Sequence, residues 1–183
     1  NKKFNKSRQV LLPDKIAPII SVGQKDLTSS LLWINLIQNS TVSKDKYPFE
    51  FNRSTLISKL SPLFYFNYKF SGMTVSIVKD QFKNSNKILE RGISFFPSDY
   101  DLNFQLAFNH FFLLENKEIG VKFYDYIYHE RIYEDSNPVF PVMYSNIKKK
   151  LGDKKVARGI LQELYEKTDN ENIKKALEHR LNQ

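Results

Sequence analysis

The sequence predicts an all-α protein built from short helical hairpins. Its 183 residues include only 6 glycines and 7 prolines, too few for the many tight turns of a β-sandwich or barrel. Apolar residues recur at helical spacing in successive segments, and polar residues or prolines separate those segments. Large rings are abundant, with 15 Phe and 10 Tyr, and such rings fill the space between packed helices.

The first 25 residues differ from the rest of the chain. Pro13 and Pro18 interrupt two apolar runs there, so no continuous helix is expected. We predict an extended N-terminal arm over residues 1–25 and a helical-repeat domain over residues 26–183. The sequence opens on Asn1 rather than Met, which indicates a processed or truncated form.

Helix start and stop signals divide the rest of the chain. Asp26 and Thr28 supply capping oxygens for a first helix that carries Trp33. The polar residues 39–53 indicate a loop. The further predicted helices cover residues 54–68, 72–83, 85–96, 99–114, 117–132, 138–151, 154–167 and 171–181. Helices of this length joined by short turns form antiparallel hairpins.

Small residues recur at a near-constant interval in alternate helices. Ser85, Gly120 and Ala157 are separated by 35 and 37 residues. Positions four and seven residues after each of them lie on the same helix face; they are Leu89 and Gly92, Tyr124 and Ile127, and Leu161 and Leu164. A small residue lets the two helices of a hairpin approach closely. Such a period predicts a helical repeat.

The last of these units resembles a tetratricopeptide repeat (TPR). Residues 152–157, Gly-Asp-Lys-Lys-Val-Ala, resemble the Gly-Asp-x-x-x-Ala turn of that family, and Pro97 lies where such repeats place the proline that closes a unit. Leu106-Ala107 is similar to the family's Leu-Gly pair. The resemblance covers about residues 60–168. It implies an α-α superhelix of about three TPR-like units with an N-terminal extension and a C-terminal capping helix.

The repeats also depart from the family pattern. Glu115-Asn116 stands where Gly-Asp is usual, and the units are one to three residues longer than the standard 34.

A second resemblance concerns the region before the repeats. Leu12-Pro13, Leu31-Leu32-Trp33-Ile34 and Leu60-Ser61-Pro62 look like the opening of a group of bacterial TPR proteins whose N-terminus is exported or membrane-anchored. This resemblance implies a periplasmic or membrane-associated bacterial protein, although a cytoplasmic location stays open.

No pattern in the sequence indicates catalysis. Cysteine is absent, and the sequence contains no phosphate-binding loop, nucleophile elbow or dinucleotide-binding fingerprint. An acid/base or metal site is one interpretation of the cluster His129, Glu130, Glu134 and Asp135, and a solvated loop is the other. We therefore expect no enzyme, no cofactor and no metal site.

An aromatic stripe is the first candidate binding site. If Leu106-Ala107 sets the register, the concave face of the middle repeat carries Asp101, Phe104, Phe108, and Phe111 or Phe112. Such a stripe would bind an apolar peptide or an amphipathic helix of another protein. Alternatively, it packs against the helix of Trp33 or the N-terminal arm.

A basic patch is the second candidate site. Its members are Lys148, Lys149, Lys150, Lys154 and Lys155, in a chain with a formal net charge of +8. Lysines of this kind contact phosphates in nucleic-acid-binding proteins, but they also favour helix C-termini.

Taken together, these features predict a non-catalytic scaffold or adaptor that binds another protein, in a bacterial envelope or membrane-associated complex. A membrane contact would come through the missing N-terminal anchor. The alternative is a helical-repeat protein that binds nucleic acid through its basic surface.

Overall fold

The computed structural model describes residues 23–40 and 49–182. Residues 1–22 of the predicted arm and residues 41–48 of the predicted loop lie outside it. Over the described ranges the chain forms helices and no strand, which confirms the predicted all-α class. The helices are α1 (Lys25–Ser40), α2 (Glu50–Leu60), α3 (Tyr65–Ile77), α4 (Phe82–Phe95), α5 (Tyr100–Phe108), a π-helical turn (Asn109–Leu113), α6 (Lys117–His129), α7 (Phe140–Lys150), α8 (Lys154–Lys167) and α9 (Glu171–Leu181). None of these described helices is long and apolar enough to cross a membrane.

The chain divides into two compact units, with the boundary after Gly120. In the first unit each helix from α1 to α5 packs against the next one, and α2 and α3 also contact α4 and α5, respectively. In the second unit α7 packs on α8, and α8 packs on α9. Packing between consecutive helices is the pattern expected of a helical-repeat fold.

The boundary between α2 and α3 differs from the prediction. A single helix over residues 54–68 is wrong, because α2 ends at Leu60 and α3 begins at Tyr65. Pro62 lies between them, where it has no N–H to donate and disfavours helical backbone in the preceding residue. The Tyr68 hydroxyl donates to the Pro62 carbonyl oxygen at 2.8 Å and so holds this turn against α3.

The small residues singled out by their spacing lie at buried positions. The Ser85 hydroxyl donates to the Gly72 carbonyl oxygen at 2.6 Å, where α3 and α4 cross. A Cβ atom on Gly120 would lie 2.7 to 2.9 Å from atoms of Phe111, two of them backbone atoms. Ala157 is buried in α8. At positions 85 and 120, therefore, the chain approaches a neighbouring segment too closely for a large side chain.

A buried ion pair lies at the start of α2, within the predicted loop 39–53. The Glu50 carboxylate is 3.6 Å from the Lys79 ammonium, and each side chain is only 2% exposed. Burial raises the pKa of Glu50 to about 7, against a smaller lowering effect of Lys79.

Stacked aromatic rings form much of the core of the second unit. Tyr124, Tyr133 and Tyr144 pack around Phe140, with ring centroids 5.4 to 6.2 Å apart. The Tyr144 hydroxyl donates to the Asp125 carboxylate, and burial together with this bond raises the pKa of Tyr144.

Candidate binding groove

An apolar groove of about 530 Å³ opens on the first unit between α1, α3 and α5. Three helices supply its apolar walls: Trp33 from α1, Phe66, Phe70, Met73 and Ile77 from α3, and Phe104 and Phe108 from α5. The α3 residues follow one another at intervals of four, three and four residues, which places them on one face of that helix. The groove is thus one helix face framed by two neighbouring helices.

Much of the groove is accessible to water. Phe66 is 63% exposed, Ile77 is 61% exposed and Met73 is 49% exposed. Large apolar side chains that cluster at the surface of a protein mark an interaction site more often than scattered ones do. Aromatic residues and methionine, which line this surface, are enriched in protein–protein interfaces.

Trp33 fixes one wall of the groove. Its ring meets those of Phe64 and Phe70 edge to face, with centroids 5.3 Å apart in each case. Edge-to-face pairs are worth roughly 0.5–1.5 kcal/mol beyond the area they bury. The wall is therefore held in place by contacts on two sides.

The rim of the groove carries charged and polar groups. Lys69 of α3 and Asp101 of α5 form an ion pair, and each side chain is about half exposed (48% and 45%). Gln105 also lines the groove. An exposed pair of this kind contributes little to stability, so these groups remain available to orient a ligand.

A buried hydrogen-bond network underlies the groove. The Asn109 amide donates to the Ser85 hydroxyl at 2.9 Å and to the Asn86 side-chain oxygen at 2.8 Å. The Ser76 hydroxyl donates to Asn109 Oδ1 at 2.8 Å. Because these bonds join α3, α4 and the π-helical turn, they fix the backbone that carries the groove residues.

The π-helical turn explains which predicted stripe residues reach the groove. Asp101, Phe104 and Phe108 line it, but Phe111 and Phe112 do not. The Leu114 N–H bonds to the Asn109 carbonyl at 2.9 Å, five residues back instead of four. In this register Phe111 is buried against Gly120, while Phe112 is 47% exposed and its ring packs on that of Phe108, with centroids 5.0 Å apart, without lining the groove.

The stripe on α3 was missed by the sequence prediction, although its spacing is helical. The predicted boundaries placed residues 66 and 77 in different helices and so divided the stripe. The predicted alternative, in which the aromatic residues meet the helix of Trp33, also describes part of this site, since Trp33 is one wall of the groove.

The basic patch is divided by the structure into three environments. Lys148 is buried, with its ammonium 2.9 Å from the Asp125 carboxylate and over the Tyr144 ring, so it is not part of an exposed basic surface. Lys149 and Lys154 line a cavity of the second unit. Lys150 and Lys155 do not line it, although all four of these lysines are exposed.

The candidate cluster of residues 129–135 begins at the last residue of α6. Glu134 pairs with Arg131 at the surface. Within the described ranges, no group of three or more His, Asp or Glu side chains is placed to hold a metal ion.

His110 is the histidine nearest to the groove network. Its Nε2 lies 3.0 Å from the Asn86 amide nitrogen. Burial lowers the pKa of His110, with a smaller opposing effect of Glu90. The neutral ring is therefore the form that suits this position.

No protein-family model matches the sequence, and a search of curated proteins finds no similar sequence. The relation to TPR proteins therefore rests on the motifs of the chain itself and stays a prediction.

Proposed function

We propose that the protein is a non-catalytic scaffold or adaptor that holds an amphipathic helix of a partner protein in the groove of the first unit. The main support is the cluster of exposed apolar side chains along α3, framed by rings of α1 and α5. A groove of this composition is the usual receptor for the apolar face of a helix.

The dimensions of the groove suit a short helix. Phe66 and Ile77 are eleven residues apart on α3, which corresponds to roughly 16 Å along the helix axis. A partner helix of about three turns spans that distance and presents apolar residues at i, i+3 or i+4, and i+7. Lys69 and Asp101 at the rim would then set its direction.

The groove is also preorganised for binding in the partner-free protein. The edge-to-face contacts of Trp33 and the network around Asn109 hold its walls and floor in place. Since less ordering is then needed on association, a larger share of the apolar burial contributes to affinity.

Affinity capture from the native host, with a matched pair of variants, tests the proposal. Met73 lines the groove and is 49% exposed, whereas Ile34 is 47% exposed on α1 and does not line it. A charge in the groove would be desolvated by the partner. We expect Met73→Glu to lose the captured partner by at least tenfold, whereas Ile34→Glu retains it.

Circular dichroism of the two variants controls for folding. Recovery of the same partner by wild type and Met73→Glu would refute the groove as the binding site. The absence of any reproducible protein partner would refute the adaptor function itself.

We also propose that this adaptor works in a bacterial envelope or membrane-associated complex. The support is the likeness of the N-terminal region to exported or anchored TPR proteins. Fractionation of the host, followed by immunodetection of the protein, checks this location; recovery from the cytosolic fraction alone would contradict it.

A further inference from the structure

A second cavity, of about 550 Å³, lies within the second unit between α7, α8 and α9. Four cationic side chains line it, all of them exposed: Lys149, Lys154, Arg158 and Arg180. Among the described residues that line the cavity, none is an aspartate or a glutamate. The described lining of the cavity is therefore positively charged and contains no carboxylate.

These four cations also lack ion-pair partners elsewhere in the part of the chain that the structure describes. None of their side-chain nitrogens lies within 4.0 Å of a carboxylate oxygen. Other cations of the same unit are paired: Lys148 with Asp125, Lys167 with Glu163, and Lys174 with Glu171. Lys150, Lys155 and Lys175 of the same unit are also unpaired within the described residues, so the cavity is distinguished by having four unpaired cations along one opening.

Like charges around one cavity repel each other, and an anion between them removes that repulsion. Guanidinium groups such as that of Arg158 match the oxygens of a phosphate in a bidentate arrangement, while lysine supplies a mobile point charge. Buried Ala157 and Leu161 also line the cavity and can contact an uncharged part of the same ligand.

From this arrangement we propose that the cavity binds a small organic ligand that carries two or more phosphate groups. Its volume is within the usual range of small-molecule sites. A nucleic-acid strand fits the cavity less well, because strand binding uses large aromatic stacking platforms and no Phe, Tyr or Trp is among the described lining residues, whose one ring is that of His179. This site differs in place and chemistry from the groove of the first unit.

Adjacent lysines provide a matched test. The double variant Lys149→Ala/Lys154→Ala removes two charges that line the cavity. Lys150→Ala/Lys155→Ala removes two neighbouring charges that are exposed like the first two but do not line it. Because the net charge changes equally, general electrostatic attraction is affected alike in the two variants.

Isothermal titration calorimetry of the full chain in chloride buffer measures binding of four small probes. Three carry phosphate: tripolyphosphate, adenosine triphosphate and inositol trisphosphate. The fourth is citrate, a tricarboxylate. We expect saturable binding of at least one phosphate probe with one site per chain. Lys149→Ala/Lys154→Ala should weaken it by roughly tenfold or more, since each lost hydrogen bond is to a charged group. Lys150→Ala/Lys155→Ala should weaken it less than twofold.

The relative affinities of the phosphate probes distinguish between two kinds of natural ligand. Tighter binding of adenosine triphosphate than of tripolyphosphate indicates a nucleotide whose base contacts Ala157 and Leu161. Tighter binding of inositol trisphosphate indicates the phosphorylated headgroup of a lipid or a related sugar phosphate. As a second variant, Arg158→Lys keeps the charge but loses the bidentate fork, and it should weaken the same probe by an intermediate factor.

Four outcomes would overturn the proposal. The first is no saturable binding of any phosphate probe, and the second is equal weakening by the two double variants. The third is tighter binding of citrate than of every phosphate probe. The fourth, measured in a separate titration, is tighter binding of a single-stranded 15-nucleotide DNA than of every phosphate probe, lost in Lys149→Ala/Lys154→Ala. Thermal melts of each variant establish that the chain is folded before binding is compared.

Discussion

At the scale of single residues, two helical glycines occupy opposite surroundings. A Cβ atom on Gly120 would clash with backbone atoms of Phe111, whereas a Cβ atom on Gly159 would meet nothing within 4 Å. We expect Gly120→Ala to lower the free energy of unfolding by roughly 1–3 kcal/mol, because backbone atoms cannot move aside cheaply. Gly159→Ala should raise it by roughly 0.5–1 kcal/mol, because alanine loses less backbone entropy in a helix.

Urea denaturation of the two variants measures both effects against wild type. If both variants changed the free energy of unfolding equally and in the same direction, the close approach at Gly120 would be contradicted, because helix propensity alone would then explain both changes.

Glu50 gives the stability of the protein a definite dependence on pH. Burial raises its pKa in the folded chain to about 7, from 4.5. Between these two values the folded chain binds more protons than the unfolded chain, so the contribution of Glu50 to stability declines as pH rises from about 4.5 to 7. The decline amounts to roughly 3 kcal/mol at most.

The variant Glu50→Gln should lose this part of the pH dependence, because glutamine does not titrate. Urea denaturation of wild type and Glu50→Gln at pH 5, 6, 7 and 8 checks it, with the exposed Glu130→Gln as a control. If the stability curves of wild type and Glu50→Gln run parallel over that range, the raised pKa is wrong.

At the scale of helices, the start of α5 depends on a capping bond. The Asp99 carboxylate accepts from the Leu102 N–H at 2.9 Å, whereas Asp153 at the start of α8 makes no such side-chain bond. We expect Asp99→Ala to destabilise the protein by roughly 1 kcal/mol and Asp153→Ala to change stability by much less.

Thermal denaturation followed by circular dichroism compares these two variants, with Asp99→Asn as a conservative control that retains a capping oxygen. A cost for Asp99→Asn as large as that for Asp99→Ala would show that the carboxylate acts through its charge instead of as a cap.

The helices differ in how well the sequence alone predicts them. The ranges 154–167 and 171–181 agree with α8 and α9, because a turn with Gly152-Asp153 and a polar cap at Asn170 mark their starts. The prediction is wrong around Pro62 and Gly72. Proline was placed inside a helix there, and the glycine at the crossing of α3 and α4 was taken for a helix start.

At the scale of the whole molecule, composition and helical periodicity are enough to predict the all-α class. The groove is harder to predict, because its walls come from residues 33, 66–77 and 101–109, and their meeting depends on packing between helices. Asp101, Phe104 and Phe108 were found because they share one helix. Burial of Lys148 was not found, because it depends on Asp125 in another helix.

The π-helical turn at residues 109–113 has a consequence for sequence comparison. A π turn accommodates one residue more than an α-helical turn does over the same axial length. The interval from Ser85 to Gly120 is 35 residues, one more than the standard 34, and the turn lies inside that interval. An alignment of this unit with a 34-residue repeat should therefore place its single gap between residues 109 and 113, where an ungapped comparison would misassign every later position in the helix.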